Sequence, residues 1–175
     1  MSASLPVSVD AERMVAGRRS FAGALAVASL TRLAEALAGT LGEVRYQLDF
    51  QHSALGGLEL RVRASARLTL ECQRTLQPFQ WPAAVDTRLG LLASEDEVVA
   101  LPEGYEPLLL EHGSLQPRKV IEDELLLALP LVPVKPGSEV AQGDWNTSGA
   151  GTPDAEVVRP FADLRALLNA RTGHD

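Results

Sequence analysis

The chain has 175 residues, of which 46% are hydrophobic and 5% aromatic, and its formal net charge is −7 at pH 7. This length favours a single domain with a hydrophobic core of its own. The single cysteine excludes a disulfide framework and a zinc site with four cysteine ligands, and it is typical of a cytoplasmic protein. The net acidity argues against a protein that coats nucleic acid without specificity.

The charges are distributed unevenly along the chain. Residues 1–75 contain nine arginines and seven acidic residues, a net charge of +2, whereas residues 76–175 contain seven basic and sixteen acidic residues, a net charge of −9. We therefore expect the basic surface in the first half of the chain and an acidic surface in the second.

The first forty residues predict short elements. Apolar residues alternate over 5–9 as in a strand, and Asp10 can cap a turn of helix over 11–16. An extended segment at 19–25 leads into an amphipathic helix at about 27–41, which glycines can terminate.

The same region imitates a twin-arginine export signal, because Arg18 and Arg19 precede a mostly apolar stretch. Thr31, Arg32 and Glu35 interrupt that stretch, which favours a helix of the domain over a signal. The other apolar run, at 125–134, contains two prolines and is too short to span a bilayer, so no membrane association is expected.

The region 44–72 gives the clearest structural pattern. Apolar and polar residues alternate over 44–50, a glycine-containing turn follows at 53–57, and the alternation then continues without a break from Leu58 to Cys72. Only a pleated strand separates even from odd positions in this way. A strand of this length would extend about 50 Å, so we expect it to bend or bulge and to curl the sheet around its apolar face.

The second half predicts fewer elements. Pro78 and Pro82 interrupt the pattern, and alternation resumes over 85–91. A helix begins at about Pro117 and ends near 129, before Pro130.

Together these segments predict an α+β fold, with a curled, partly barrel-like antiparallel sheet of five to seven strands, two main helices and a flexible C-terminal tail. Residues 1–136 would form the single domain and 137–157 a disordered linker rich in Gly, Ser, Thr, Pro and acidic residues. A short amphipathic helix and tail would follow at 158–175.

No residue pattern indicates catalysis. The chain has no nucleophile elbow, phosphate-binding loop, dinucleotide-binding turn or calcium loop. Cys72 lies on the apolar face of the long predicted strand, which predicts a buried structural thiol, and the three histidines lack metal-ligand spacing. We expect a non-enzymatic protein without a metal or other cofactor.

Two groups of charged residues and one apolar group are candidates for binding. The candidates for contacts with RNA phosphates are arginines of the first half, namely Arg45, Arg61, Arg63, Arg67 and Arg74. Cross-strand ion pairs on a solvated sheet face would explain these arginines as well. Three adjacent acids of the predicted helix, Glu122, Asp123 and Glu124, would interact with the helix dipole or dock a basic partner. The C-terminal segment presents an apolar face for a partner or for the domain itself: Phe161, Leu164, Leu167 and Leu168.

Four segments, taken in order, resemble the bacterial YceD family of large ribosomal RNA subunit accumulation proteins. They are Leu68–Arg74 followed by Pro78-Phe79, Leu101–Pro107, Glu122–Pro133 and Pro160–Leu164. The resemblance implies a non-enzymatic cytoplasmic factor for synthesis, processing or stability of 23S ribosomal RNA. Its expected partners are that RNA, reached directly or indirectly, and ribosomal or assembly proteins, but not DNA.

Two further expectations follow from the resemblance. Family members often carry a second cysteine three residues after the first and a further ligand after the Pro-Val-Pro segment, but Thr75 occupies the second position here and 135–142 contains neither Cys nor His. Any zinc site of the family should therefore be absent from this chain. The alternative to an RNA-binding factor is a protein-only module whose acidic half binds a basic ribosomal protein.

Overall fold

The computed structural model describes residues 5–138. Its strands are β1 Val9–Asp10, β2 Ser20–Ala26, β3 Glu43–His52, β4 Leu58–Glu71, β5 Pro78–Leu92, β6 Glu106–Leu109 and β7 Ser114–Leu115. Its helices are α1 Ala11–Ala16, α2 Thr31–Glu35 and α3 Pro117–Leu127, with 3₁₀ turns at Val27–Ser29 and Glu95–Ala100. The predicted tail at 158–175 and nearly all of the predicted linker lie outside the described residues.

The main sheet has five strands in the order β2-β3-β4-β5-β6, and β1 pairs with β7 separately. This confirms the α+β class. The sheet is open and does not close into the expected barrel-like form. Strands β2 to β5 are antiparallel, but β6 joins β5 in parallel, so the expectation of an all-antiparallel sheet was wrong. The segment 93–105 between β5 and β6 is long enough for the crossover that parallel pairing requires.

The long predicted strand is confirmed as β4. Leu60, Val62 and Leu68 on its even side are at most 1% exposed, whereas Ser65 and Arg67 on its odd side are exposed. Its partner β5 runs through Pro82 without the predicted interruption. Because β6 pairs only with Leu89–Leu92, the proline-containing half of β5 is a sheet edge, where proline is tolerated.

The helices of the structure agree only in part with those predicted from the sequence. Asp10 caps α1 by accepting the N–H of Arg13 at 2.7 Å, as predicted, and α3 begins at Pro117. The helix predicted over 27–41 was wrong, because only a 3₁₀ turn and the five-residue α2 form. After α2 the chain turns to β4, and the N–H of Ala38 donates to the carbonyl of Thr69 at 2.9 Å. Pairing with a distant strand replaces the local helical bonds there.

The core lies between the even-numbered face of β4 and the helices. Val15 of α1, Leu33 of α2 and both Ile121 and Leu125 of α3 are fully buried against it. The odd-numbered sides of β3 and β4 form the opposite face, which carries the arginines. None of the helices within residues 5–138 has the length and apolar character that crossing a membrane would require.

Candidate nucleic-acid interface

The sheet register gathers arginines on one surface, which we call the polar sheet face. It is formed by side chains of β3, β4 and β5, namely Arg45, Gln47, Asp49, Arg61, Arg63, Arg67, Asp86 and Arg88. Because side chains directly opposite each other on neighbouring strands share a face, the register alone places them together. Four of the predicted arginines, Arg45, Arg61, Arg63 and Arg67, thus lie on the adjacent strands β3 and β4.

Two ion pairs cross this face diagonally. Asp49 is opposite Arg61 in the register but binds Nη2 of Arg63 at 2.7 Å. Asp86 is opposite Arg63 but accepts from both Nε and Nη2 of Arg61 at 2.8 Å. Arg61 and Arg63 therefore form the cross-strand ion pairs that the sequence analysis gave as the alternative to RNA contacts. Arg45 takes part in no salt bridge within residues 5–138.

The ion pairs shift the carboxylates toward their charged form. Partial burial acts to raise the pKa of Asp49, but hydrogen bonds from Ser20, Arg63 and Gln47 outweigh it and hold the pKa below its ordinary value. The bidentate hydrogen bond from Arg61 likewise lowers the pKa of Asp86. Both carboxylates stay ionised at neutral pH and hold the two guanidinium groups in fixed positions.

A cavity of about 590 Å³ opens at one end of the polar sheet face. Four arginines and one carboxylate line it, so its local charge is positive despite the acidity of the whole chain. The lining residues are Arg18, Arg19, Ser20, Gln47, Asp49, Phe50, Gln51, His52, Arg61 and Arg63. An arrangement of this charge and size suits a phosphate group or a short stretch of phosphate backbone.

Sequence reasoning missed the contribution of Arg18 and Arg19. It counted this pair among the basic residues of the first half and examined it as an imitation of an export signal, but did not select it for contacts with RNA. The connection from α1 positions them, since the N–H of Arg18 donates to Val15 and the carbonyl of Arg19 accepts from Phe50, both at 2.9 Å. The signal that could have found them is the pairing of two neighbouring predicted strands, which brings the start of β2 beside the end of β3.

The remaining predicted arginines lie farther from the cavity. Arg45 lines a neighbouring cavity of about 380 Å³, which shares Arg63 with the first. Arg67 lies six residues along β4 from Arg61, about 20 Å away on the same face. Arg74 follows the strand in a loop, where its Nη1 donates to the carbonyl of Ser138 at 3.2 Å. Arg88, which the sequence analysis did not select, faces Arg61 from β5.

The acidic cluster of α3 is directed largely inward. Glu122 accepts the N–H of Leu33 in α2 at 3.1 Å, and Arg32 pairs with both Glu122 and Asp123. Glu124 is 8% exposed, and burial raises its pKa. Of the three, only Asp123 has a half-exposed side chain, at 40%. The other predicted partner-binding residues lie outside the described part of the chain: Phe161, Leu164, Leu167 and Leu168.

The prediction of a buried thiol at Cys72 is confirmed, since its side chain is fully buried. Its Sγ accepts the N–H of Lys135 at 3.3 Å and lies 3.7 Å from Oγ of Ser138. The hydrogen bond from Lys135, followed by one from the hydroxyl of Thr75, lowers the pKa of the thiol to about 6. The N–H of Lys135 and the hydroxyl of Thr75 are hydrogen-bond donors and not zinc ligands, and within residues 5–138 Cys72 belongs to no group of three or more His, Cys, Asp or Glu side chains that could hold a metal ion.

Comparison with known proteins agrees with the resemblance in the sequence. The family model described as "Large ribosomal RNA subunit accumulation protein YceD" matches residues 60–168. A protein of that name from Haemophilus influenzae is 32% identical over 167 residues, which cover 93% of this chain and 95% of the relative. No solved structure matches the chain significantly. The family is named for the accumulation of an RNA and not for a reaction, and the chain belongs to this YceD family of large ribosomal RNA subunit accumulation proteins.

Proposed function

We propose that the protein is a non-enzymatic cytoplasmic factor that supports synthesis, processing or stability of 23S ribosomal RNA by binding the RNA at its polar sheet face. The observation that carries this proposal is the cavity where Arg18, Arg19, Arg61 and Arg63 converge around a single carboxylate. Membership of the YceD family supports the connection to large-subunit RNA.

The geometry favours contacts with phosphate over contacts with bases. A guanidinium group has five N–H donors, and the ion pair with Asp86 uses two of those on Arg61, leaving donors for a phosphate oxygen. The aromatic residues of β3, Tyr46 and Phe50, are 6% and 2% exposed, so Phe50 has almost no ring surface to offer to the cavity that it lines. Because base stacking needs exposed rings, we expect the protein to recognise the backbone or the shape of a folded RNA.

The test uses a pair of arginines whose loss leaves the ion pairs intact. The double variant R18A/R19A should weaken binding to 23S RNA fragments in fluorescence anisotropy. The slope of log K against log salt should fall by about 0.7–0.9 for each phosphate group that the variant no longer neutralises. The matched control is R13A/K119A, which removes the same charge from exposed positions of α1 and α3.

Equal weakening in the two variants would mean that only net charge matters and would refute a site at the polar sheet face. Unchanged recovery of RNA with a chain carrying R61E, R63E and R67E would refute RNA binding by this face altogether. Salt-sensitive capture of ribosomal proteins after nuclease treatment would then support the protein-only alternative.

The C-terminal segment has a separate proposed role. Its apolar residues Phe161, Leu164, Leu167 and Leu168 would contact a ribosomal or assembly protein, with Asp123 as an accessory acidic contact. Removal of residues 158–175 should reduce the recovery of protein partners from cells while leaving the RNA affinity of the purified protein unchanged.

A further inference from the structure

Strand β2 is one edge of the five-stranded sheet, and no further strand of residues 5–138 pairs with its outer side. The N–H of Phe50 donates to the carbonyl of Arg19, and the register between β2 and β3 continues without a bulge to Ala26. Because hydrogen-bonded and non-hydrogen-bonded positions alternate in an antiparallel pair, the odd-numbered residues of β2 bond to β3. The N–H and C=O groups of the even-numbered residues therefore point away from the sheet. Of these groups the carbonyl of Ala26 accepts from Oγ of Ser29 at 2.7 Å.

This edge lacks the usual protection against strand addition. Natural sheets block edges with charged residues, prolines or bulges. None of these occurs within Ser20–Ala26, and the even-numbered residues of the strand are exposed. As far as residues 5–138 are concerned, the edge is therefore open to another strand at its centre, around Ala22 and Ala24.

The sequence of β2 is symmetric about Gly23. Phe21 and Leu25 lie two positions to either side of it on the core face, and Ala22 and Ala24 lie one position to either side on the polar face. An antiparallel pair formed by two copies about this glycine matches large apolar with large apolar and alanine with alanine. Strand β2 contains no charged residue, so the pairing of β2 with β2 brings no like charges together.

We infer that β2 pairs with β2 of a second copy of this chain, in the antiparallel register that places Gly23 opposite Gly23 of the second copy. Ala22 then exchanges two backbone hydrogen bonds with Ala24 of the second copy, and the symmetric pair does the same. Phe21 faces Leu25 of the second copy on the core side. The two-fold axis is perpendicular to the sheet.

The arrangement has a geometric consequence. Residues directly opposite each other in an antiparallel pair project to the same face, so both polar sheet faces lie on one side of a continuous ten-stranded sheet. The two β4 strands are separated by five strand spacings, about 24 Å. The inference is independent of RNA binding, because it depends only on the edge of β2.

The test measures the mass of the full chain, treated with nuclease, by sedimentation over a dilution series. We expect a dimer whose dissociation constant increases at least tenfold in A22E/A24E, because like charges then face each other twice across the axis. The matched variant A22K/A24E places opposite charges at the same positions and should restore the dimer. The two variants share the glutamate beside Arg45 and differ only at residue 22, which faces the neutral Gln47.

A wild-type chain that remains monomeric at all concentrations, or a dimer that both variants weaken equally, would overturn the inference. Hydrogen exchange gives a second reading. The amides of Ala22 and Ala24 should become protected as the protein concentration rises, and protection that appears only when another protein is added would mean that a different strand occupies the edge.

Discussion

The hydrogen bond between Tyr105 and Glu59 provides a sharp test of the fold. Glu59 lies on the polar side of β4, two residues before the partly exposed Arg61, and is nevertheless only 3% exposed. Its carboxylate accepts from Oη of Tyr105 at 2.7 Å and from Nε2 of Gln51 at 2.8 Å. The substitution Y105F removes one of these two donors and keeps the ring.

The expected loss follows from the charge and burial of the acceptor. A hydrogen bond to a charged group contributes about 1.5–3 kcal/mol, and a buried acceptor that loses its donor cannot recover the bond from bulk water. We therefore expect Y105F to lower the free energy of unfolding by about 1.5–3 kcal/mol. Gln51 is exposed, so water can replace its amide, and Q51A should cost less than about 1.5 kcal/mol.

Urea denaturation followed by circular dichroism measures both losses. The test is sharpened by repeating Y105F in a chain that carries E59Q, where the bond is between neutral groups and its loss should cost only about 0.5–1.5 kcal/mol. An identical loss in both backgrounds would show that Tyr105 acts through packing alone. A loss below about 0.5 kcal/mol in the wild-type background would contradict the reasoning entirely.

Three further predictions concern the helix α3 and strand β5. E122A should lower the free energy of unfolding by about 1–3 kcal/mol because it removes the carboxylate that accepts a backbone N–H of α2. D123A should cost less than about 1 kcal/mol because the ion pair of Asp123 is half exposed. Equal urea midpoints for the two variants would contradict this. Burial raises the pKa of Glu124, so the folded state binds its proton more tightly and stability should fall as pH rises through the range above the ordinary carboxyl value. E124Q should abolish that fall and should unfold at higher urea than the wild type at neutral pH, and a parallel pH profile would refute the assignment. A methyl group at Gly90 would overlap Cδ1 of Leu101, so G90A should lower the free energy of unfolding by about 1–3 kcal/mol. Adding L101A to the same chain should recover part of this loss. A loss that L101A does not change would mean that the strain lies elsewhere.

Patterns that depend on neighbouring residues could be predicted from the sequence. The alternation over 58–71 predicted β4 because a pleated strand needs no distant partner to define its two faces. Asp10 and Pro117 likewise marked the starts of α1 and α3, since capping and the fixed φ of proline act within one turn. The resemblance in four segments also identified the family correctly.

The motif 101–107 shows what a family pattern leaves unexplained without coordinates. In the structure Leu101 covers Gly90, Gly104 adopts a φ of +84° that favours glycine, and Tyr105 donates to Glu59. Through its contacts with Gly90 and Glu59, the motif holds the crossover between β5 and β6 against the sheet. The sequence of the motif does not indicate these partners, because they lie on strands that are distant in the chain.

Tertiary structure alone decided three features of the molecule. The amphipathic pattern over 27–41 yields only a short helix because part of the segment pairs with β4. The charge of Glu59 predicts exposure, but its two hydrogen bonds allow burial. Arg18 and Arg19 reach the arginines of β4 only through the pairing of β2 with β3. Local patterns record which side of an element is apolar, whereas the choice among possible partners depends on the free energy of contacts that form only when the whole chain folds.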